Sequence, residues 1–426
     1  MPLTPRKYQQ VGIKFLTSKK RALLCDQPGL GKTLQASMAA EKPVLIACPT
    51  YLVEQWADFI PTQFPGDTVI ACTGAKAERQ RALDTPADWH IFNIEMMRKD
   101  LIKGPDGKKT PGPKFLIYRF PKAKTLIIDE SHHVKNKEAS HSQGALELSK
   151  KVDRLYLLTG TPIVKDADDL YFQLKLINPP AFTSYEKFVN SFLNTFATSW
   201  GIQISGVRDP KALRKVLSQY ALGRSYKQAG LELPDLVENV HKLEFTSQER
   251  KTYDNLKENY RLEDKVYDYA VQIISELRKL TFCKEKIQTL IQLLLDCEKG
   301  AVIFTWYRDN AAAIAQATGM PLITGDMAPA ERAKIARSSK FVVATLASLA
   351  EGVDMSHLRT VIFLEQDYTS GRLYQALSRV RRYSADKAPV HVHYLVVNKS
   401  IDSTIYSLVN RRVFDAKAIL HEELGT

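Results

Sequence analysis

The sequence is poor in cysteine and has no long apolar run, and both absences narrow the class of protein. Its five cysteines are scattered without the spacing of a zinc site: Cys25, Cys48, Cys72, Cys283 and Cys297. No apolar stretch approaches the ~20 residues that cross a bilayer, and the N-terminus, MPLTPRKYQQ, lacks the apolar core of a signal peptide. We therefore expect a reduced, intracellular protein without a structural metal.

The remaining composition is that of an ordinary globular protein. Glycine and proline number 20 each in 426 residues, which excludes a collagen-like chain, and 44% hydrophobic with 25% charged residues excludes disorder as the main state. At about 150 residues per domain, two or three domains are expected.

Basic residues outnumber acidic ones, and much of the excess is concentrated in one segment. Lys and Arg number 60 against 47 Asp and Glu, a net charge of +13, which suggests a polyanionic partner such as nucleic acid. Residues 98–124 alone hold nine basic and two acidic residues around the segment GPDGKKTPGP, which predicts an exposed loop. We hypothesise that this basic segment contacts DNA phosphates. The alternative is a solvated, disordered loop.

Short Val-, Ile- and Leu-rich runs alternate with helical periods in two parts of the chain. This pattern predicts two α/β units, each a doubly wound parallel sheet. A mostly helical insert lies between them, with aromatic residues at helical spacing (Tyr185, Phe188, Phe192, Phe196) and a long charged helix over 248–280. We expect strands at 21–25, 44–48, 68–72, 90–94, 125–128, 154–158, 238–245, 301–306, 321–324, 340–344, 360–364 and 390–397, and domains at 1–178, 179–282 and 283–426.

The first predicted strand runs into a phosphate-binding pattern. Asp26-Gln27-Pro28-Gly29-Leu30-Gly31-Lys32-Thr33 ends in the Gly-Lys-Thr of a P-loop, in which backbone N–H groups and a helix N-terminus hold phosphate. Lys32 would reach the β- and γ-phosphates, and Thr33 would ligate magnesium. The strict motif has Gly where this chain has Asp26, and the alternative interpretation is a glycine-rich turn with a surface lysine.

A second acidic element follows the predicted strand at 125–128. Asp129 can hold magnesium, and Glu130 can polarise the attacking water as general base. An acidic pair after a strand is often only a solvated loop. Its place about 100 residues after the phosphate loop favours the catalytic interpretation.

Taken together, these motifs resemble those of superfamily-two helicases, and among them the Swi/Snf-type DNA translocases. D-x-x-G-L-G-K-T, D-E-S-H and L-T-G-T-P are similar to the family's motifs in the first lobe, as are LTPRKYQQVGIKFL and ACPTYLVEQW. ALGRSYKQAGLELPDLVENVHKLEFTSQERKTY resembles the segment that leads into the second lobe, and AEGVDM and QALSRVRR resemble motifs V and VI.

The resemblance implies two RecA-like lobes, ATP and magnesium as cofactors, and a DNA partner bound without sequence specificity. It implies a nucleotide site formed by Tyr8, Gln9, Asp26, Gly29, Leu30, Gly31, Lys32, Thr33, Gly352, Asp354 and Gln375, with Gln9 reading the adenine and Arg379 and Arg382 as arginine fingers. Coupling residues would be Thr159, Gly160 and Thr161. DNA contacts would include Thr50, Gln55, Lys108, Lys109, Thr324, Gly325 and Thr345.

The expected function is a DNA-stimulated ATPase that translocates on DNA, acting as a monomer. Its size is that of minimal bacterial or phage members, so we expect a cytoplasmic location, or a nuclear one in a eukaryote. Glu351 and Asp354 depart from motif V, and Arg381-Arg382-Tyr383-Ser384 departs from motif VI, which bears on DNA coupling. The alternatives are a strand-separating helicase and a non-catalytic nucleic-acid-binding scaffold.

Overall fold

The computed structural model divides the chain into two compact units. It describes residues 2–103, 109–115, 120–198, 201–262, 265–266, 269–348, 353–383 and 387–420. The first unit comprises Met1–Leu231 together with Phe414–Thr426, and the second comprises Glu232–Val413. The predicted boundary at residue 178 is therefore not where the compact units divide, since the predicted insert is shared between them.

The first unit alternates strands and helices from its N-terminus. Its helices are α1 Lys7–Lys19, α2 Lys32–Ala39, α3 Thr50–Gln63, α4 Lys76–Asp84, α5 Ser140–Ser149, α6 Asp169–Ile177, α7 Tyr185–Phe192 and α8 Pro210–Leu217. Its strands are β1 Arg21–Leu24, β2 Val44–Cys48, β3 Val69–Cys72, β4 Trp89–Asn93, β5 Lys99–Lys103, β6 Lys109–Phe115, β7 Thr125–Asp129, β8 Arg154–Leu158, β9 Leu193–Thr198, β10 Gly201–Val207 and β11 Ala221–Leu222.

The main sheet of the first unit is parallel and buried on both faces. Within the described ranges it has seven strands in the order β11-β1-β8-β7-β2-β4-β3. Alternate residues of each strand enter different cores: Leu45 and Ala47 of β2 join one cluster, while Val44, Ile46 and Cys48 join another. Helices therefore cover both faces, which confirms the predicted doubly wound sheet.

Several predicted features of residues 98–231 differ from the structure. Phe196 lies in the antiparallel hairpin of β9 and β10 instead of continuing a helix, because α7 ends at Phe192 and β9 pairs with β10, with one register shift between Ile204 and Gly206. The basic segment also contains an antiparallel pair, β5 and β6, where we predicted a loop. The strand β11 joins the edge of the main sheet beside β1, and this pairing attaches the chain around residue 221 to the first unit.

The second unit repeats the same plan. Its helices are α9 Ser247–Asn259, α10 Ala270–Leu280, α11 Lys284–Leu295, α12 Arg308–Thr318, α13 Pro329–Ser338 and α14 Ser370–Val380, and the terminal helix α15 Ile401–Leu420 begins in it. Its strands are β12 Leu236–Leu243, β13 Arg261–Leu262, β14 Lys265–Val266, β15 Ala301–Thr305, β16 Leu322–Ile323, β17 Phe341–Thr345, β18 Thr360–Phe363 and β19 Val390–Val397.

The second main sheet is also parallel and doubly covered. In the described part of the unit it has six strands in the order β12-β19-β18-β15-β17-β16. Val302 and Phe304 of β15 enter one core, and Ala301 and Ile303 enter the other. The carboxyl ends of parallel strands share one edge, so the segments after β16, β17 and β18 meet there.

The long helix predicted over 248–280 is two helices. Thr246 and Glu249 form a capping box that starts α9, and the helix ends at Asn259, where the C-cap residue Tyr260 has a left-handed φ of 55°. The short strands β13 and β14 follow before α10 begins. The sequence did not indicate this break, because the charged residues continue through it and a left-handed cap without glycine leaves little trace in the sequence. Among helices in the described ranges, none is both long and apolar enough to cross a membrane.

Candidate functional site

The phosphate loop lies between β1 and α2 at the carboxyl edge of the first sheet. Gly29 and Gly31 have φ values of 87° and 72°, which favour glycine. Leu30 between them is fully buried and anchors the loop. The first N–H groups of α2, which starts at Lys32, have no intrahelical acceptor. This geometry is that of an anion site at a helix N-terminus.

Lys32 reaches back across this loop. Its Nζ donates to the carbonyl oxygen of Asp26 at 2.8 Å and lies 3.5 Å from that of Gln27. The ammonium therefore stands over the loop at partial exposure, where a phosphate oxygen can compete with a carbonyl for it. The contact of Lys32 with the β- and γ-phosphates stays a prediction.

Asp26 belongs to a buried network behind the loop. Arg224 donates to both of its carboxylate oxygens, with Nε–Oδ1 at 2.9 Å and Nη2–Oδ2 at 2.6 Å. Gln35 donates to Oδ2 at 3.1 Å and accepts from Arg224 at 2.8 Å. Asp26 is fully buried. Its carboxylate is thus committed to protein groups, and we now expect it to shape the loop rather than to contact nucleotide as predicted.

Glycine is required where α1 crosses this network. A Cβ on Gly12 would lie 1.8 Å from Gln35 Oε1 and 2.9 Å from Arg224 Nη2. The absence of a side chain at Gly12 therefore lets α1 approach the ion pair closely, which places the residues at the start of α1 beside the phosphate loop.

Tyr226 holds the outer side of the loop. Its hydroxyl donates to the carbonyl of Pro28 at 2.6 Å, and its backbone N–H donates to Gln27 Oε1 at 2.9 Å. A Cβ on Gly29 would lie 2.4 Å from the same hydroxyl. The chain after β11 thus supports the loop from a region of sequence nearly 200 residues away.

Two residues of the predicted nucleotide site, Tyr8 and Gln9, lie at the start of α1. Gln9 is buried, and its Nε2 donates to the carbonyl of Leu30 at 3.3 Å, while its Oε1 accepts from the N–H of Arg6 at 2.8 Å. The Tyr8 ring is half-buried, and the guanidinium of Arg224 lies 5.5 Å from its centroid. Gln9 therefore contacts the phosphate loop and Tyr8 lies against the arginine behind it, while the contact of either residue with nucleotide stays a prediction.

Asp129 ends β7 at the same edge of the sheet. Trp56 Nε1 donates to its Oδ2 and the N–H of Glu130 to its Oδ1, both at 2.9 Å. Burial, followed by the charge of Glu130, raises the pKa of Asp129 to about 6, and the positive charge of Lys32 opposes that rise. The carboxylate and the loop lysine therefore act on one another electrostatically within this unit.

Glu130 is held in an unusual backbone conformation. Its φ and ψ are 50° and 51°, a left-handed geometry that costs energy for a residue with a Cβ and that is concentrated at functional sites. Its Oε2 lies 3.3 Å from His132 Nδ1. The same His132 nitrogen is 3.0 Å from Thr159 Oγ1. The predicted base is thereby linked to the predicted coupling segment.

That coupling segment touches the phosphate loop directly. Thr159 and Thr161 are buried, and the N–H of Thr161 donates to Thr159 Oγ1 at 3.0 Å. A Cβ on Gly160 would lie 2.7 Å from Pro28 Cγ. The end of β8 therefore contacts His132 on one side and the phosphate loop on the other.

Gly160→Ala should destabilise the first unit by about 1–3 kcal/mol, because the added methyl overlaps the Pro28 ring. The matched control is Gly325→Ala, where a Cβ meets nothing within 4 Å, so a change within about 0.5 kcal/mol is expected. Urea unfolding of both variants measures the difference. Equal midpoints would contradict the close contact between β8 and the loop.

The residues present fit a magnesium ion. The Thr33 hydroxyl, in the first turn of α2, and the Asp129 carboxylate are the hard oxygen donors that this ion prefers. Burial disfavours the ionised Asp129, as its raised pKa shows. A cation beside Asp129 would offset that cost. Thr33 and Asp129 are thus the residues that would hold the ion.

In the second unit, hydrogen bonds connect the segments that resemble motifs V and VI. Arg382 donates through Nη1 to Asp354 Oδ2 at 3.1 Å and through Nε to the carbonyl of Ser378 at 3.2 Å. The Arg379 carbonyl accepts from the N–H of Met355 at 3.0 Å. Gln375 and Arg379 lie four residues apart on α14. Although burial raises the pKa of Asp354, hydrogen bonds from Ser356 and the charge of Arg382 hold it below its usual range.

Gly352 lies outside the described residues, so the predicted nucleotide contact there stays a prediction. The pairing of Asp354 with Arg382 explains one departure from motif V, because an acidic residue at 354 can orient the arginine at 382. Both side chains are partly exposed, and a pair of this kind contributes about 0–1 kcal/mol.

The predicted DNA contacts fall into two groups. Thr50 and Gln55 are exposed on α3, where Asn93 donates to the Thr50 hydroxyl. Thr324 directly follows β16, and Thr345 is the last residue of the neighbouring strand β17. Both side chains are buried, and the Thr324 hydroxyl donates to Asp326. Gly325 beside them is exposed. Lys108 lies outside the described ranges, and of Lys109 the structure describes only its place in β6.

Sequence reasoning missed the residues that support the site. Arg224, Gln35 and Tyr226 stabilise the phosphate loop, and Trp56 bonds Asp129. Trp56 stands inside the motif ACPTYLVEQW, so the motif itself was a signal for it. Arg224 and Tyr226 stand inside the segment that begins ALGRSYKQ, but nothing in that segment indicates that Arg224 pairs with Asp26, which is 198 residues away.

Comparison with known families agrees with these motifs. The SNF2-related domain matches residues 8–298, and the helicase conserved C-terminal domain matches residues 285–384. The first match covers more than half of the chain and contains the phosphate loop and Asp129. The second contains Arg379 and Arg382.

Individual relatives match along nearly the whole chain. The SWI/SNF-related matrix-associated actin-dependent regulator of chromatin subfamily A-like protein 1 of Xenopus laevis is 26% identical over 95% of this chain and 43% of that protein. The human DNA annealing helicase and endonuclease ZRANB3 is 23% identical over 95% of this chain and 39% of its own length. The chain thus spans less than half the length of these relatives.

Among solved structures, the Sulfolobus solfataricus SWI2/SNF2 ATPase core in complex with dsDNA is similar to this chain. Its sequence is 20% identical, its TM-score is 0.46, and the match covers 100% of this chain and 98% of that one.

Proposed function

The chain belongs to the SNF2-related family of helicase-like, DNA-dependent ATPases, and from this premise we propose that it is a translocase that couples ATP hydrolysis to movement along DNA. Its products would be remodelled duplex, forked or branched DNA, or displaced DNA-bound proteins. The observation that carries the proposal is the contact network of the first unit, which links the phosphate loop, Asp129, Glu130 and Thr159.

Each group of this network has a definite task in phosphoryl transfer. The loop N–H groups and Lys32 hold the phosphates, and Glu130 takes a proton from the attacking water. Thr33 and Asp129 would hold magnesium, which would neutralise charge on the phosphates. We assign to Arg379 and Arg382 of the second unit the stabilisation of charge on the transferred phosphoryl group, as the family resemblance implies.

The same network offers a route from hydrolysis to the DNA track. Glu130 contacts His132, and His132 contacts Thr159 at the end of β8. Gly160 in turn lies against Pro28 of the phosphate loop. A change at the phosphates can therefore move the segment 159–161 through direct contacts, which suits a coupling role for Thr159, Gly160 and Thr161.

DNA-stimulated ATP turnover tests the function. Turnover should be low for the protein alone and should rise on addition of double-stranded DNA. Parallel reactions with single-stranded DNA, forked DNA and RNA identify the preferred substrate. Turnover that no nucleic acid stimulates would overturn the proposal and favour a non-catalytic scaffold.

Movement and strand separation need separate assays. We expect the protein to displace the third strand of a DNA triplex when ATP is present, because translocation on the duplex strips that strand. A forked duplex with labelled strands reports unwinding. Triplex displacement without unwinding supports a translocase, whereas unwinding with equal efficiency would favour the strand-separating helicase.

Neutralising the basic segment should weaken DNA binding and its salt dependence. Changing Lys103, Lys108, Lys109 and Lys114 to Gln together should reduce the slope of log K against log[salt] by about 0.9 for each lysine that contacts a phosphate. Fluorescence anisotropy with a labelled duplex at several salt concentrations measures this slope. The control changes four exposed lysines elsewhere, Lys187, Lys211, Lys215 and Lys251. An unchanged slope in the first variant would exclude this DNA contact.

A further inference from the structure

The strand β12 is one edge of the second main sheet, and its outer side is open. It pairs with β19 over all eight of its residues without a register shift. The N–H groups of Val390 and Asn398 donate to the carbonyls of Asp235 and Leu243, at 2.8 and 2.7 Å respectively. Because backbone groups alternate in direction along a strand, the odd-numbered residues of β12 bond to β19 and the even-numbered ones face outward.

The outward backbone groups belong to Leu236, Glu238, Val240 and Lys242. Within the described ranges, no other residue bonds to these N–H and C=O groups, and the last three residues are exposed. The other edge strands of the two main sheets are protected by their shortness, since β3, β11 and β16 have four, two and two residues. An edge of eight residues without proline is instead a template for a further extended strand.

The side chains of this edge are complementary to a second copy of the same strand. Two copies that pair antiparallel must place outward residues opposite outward residues. In the register centred on Val240, Glu238 of each copy lies opposite Lys242 of the other, so both cross-strand pairs have opposite charges. Centring the pair on Glu238 or on Lys242 would instead place like charges opposite each other, which is destabilising. The charges therefore select one register of the pair.

The remaining contacts at this edge agree with that register. Tyr394 on β19 donates its hydroxyl to Glu238 Oε1 at 2.8 Å, which holds the carboxylate on this face and leaves Oε2 for a lysine. Val240 is 39% exposed and would pack against Val240 of the second copy. We propose that the protein, when free of DNA, forms an antiparallel dimer through β12, with Glu238 and Lys242 paired across the twofold axis. This interface goes beyond the proposed motor function, and it replaces the monomer expected from the sequence.

The first test measures the mass of the full chain by sedimentation velocity after nuclease treatment. A strand pair is smaller than the ~1,200 Å² of a stable interface, so the mass should rise with protein concentration from 48.1 kDa towards twice that value. Lys242→Glu places like charges opposite each other at both pairs and should weaken dimerisation at least about tenfold. Adding Glu238→Lys restores opposite charges and should restore the dimer, whereas the control Lys257→Glu, at an exposed position of α9, should change nothing.

Two results of this test would overturn the proposal. A mass of 48.1 kDa at every concentration would exclude the dimer and leave the edge of β12 to an extended segment of another protein. A dimer that Lys242→Glu does not weaken, or that Glu238→Lys does not restore, would have an interface other than this strand pair.

The second test locates the interface by crosslinking. Facing residues of a hydrogen-bonded antiparallel pair have Cα atoms about 5.5 Å apart, which is within the range of a disulfide. Val240→Cys should therefore link two chains when oxidised glutathione is added, and a non-reducing gel measures the product. Val237→Cys is the matched control, because Val237 is also 39% exposed but would lie about 20 Å from its equivalent in this register. The unmodified chain gives the background of its own cysteines. Equal crosslinking of the two variants, or none in Val240→Cys, would contradict the assignment.

Discussion

Glu130→Gln should lower the turnover of ATP by a factor on the order of 10² to 10⁴, the usual contribution of a general base, while the protein still binds ATP. The amide has nearly the shape of the carboxylate and can still contact His132, but it cannot take a proton from water. Steady-state turnover with saturating double-stranded DNA and a fluorescent-nucleotide titration measure the two quantities separately.

A matched variant separates the chemistry from the loss of one charge. Glu138→Gln makes the same change at a side chain that is 80% exposed, and its turnover should equal that of the unmodified protein. Equal losses in both variants, or full activity in Glu130→Gln, would remove Glu130 from the catalytic step.

The same substitution should also change the pH range of magnesium binding. The charge of Glu130 helps to raise the pKa of Asp129 to about 6, after the larger effect of burial. Removing that charge lowers the Asp129 pKa, so the carboxylate stays ionised to lower pH. Magnesium-dependent nucleotide binding should therefore persist to lower pH in Glu130→Gln. An unchanged or raised pH midpoint would argue against the interaction of the two carboxyl groups.

The two sheets were predictable from the sequence because their strands are buried on both faces. Val44–Cys48, Arg154–Leu158 and Val390–Val397 have the predicted bounds, since a short run rich in Val, Ile and Leu has few other stable environments. The hairpin of β9 and β10 was not predictable in this way. Much of it is exposed, with Phe196 at 51% and Ile202 at 74%, so its residues carry no burial pattern.

The chemical residues of the site were predictable where a motif is contiguous. The phosphate loop and the pair Asp129-Glu130 each follow a buried strand, and the carboxyl ends of parallel strands meet at one edge. The supporting residues were not, because their contacts join distant segments. Asp26 departs from the strict phosphate-loop motif, and only its partner Arg224 explains the departure.

Arg224→Met should destabilise the first unit by about 3–5 kcal/mol, the usual cost of leaving a buried charge without its partner. Asp26 is fully buried and would lose both hydrogen bonds from the guanidinium, and Gln35 would lose a third. The phosphate loop follows Asp26 directly, so nucleotide affinity should fall as well. Urea unfolding and nucleotide titration measure the two effects, and Arg81→Met, at an exposed position of α4, is the control.

A second substitution at the partner distinguishes charge from packing. Adding Asp26→Asn to Arg224→Met removes the unpaired buried charge. The double variant should therefore lose less free energy of unfolding than the sum of the losses in the two single variants. Nucleotide affinity should not recover with it, because an amide and a thioether cannot rebuild the two-bond contact that positions the loop. If the losses in free energy of unfolding of the two single variants add up to that of the double variant, Arg224 stabilises the unit by packing and not by its charge. Full recovery of nucleotide affinity would mean that the ion pair does not position the phosphate loop.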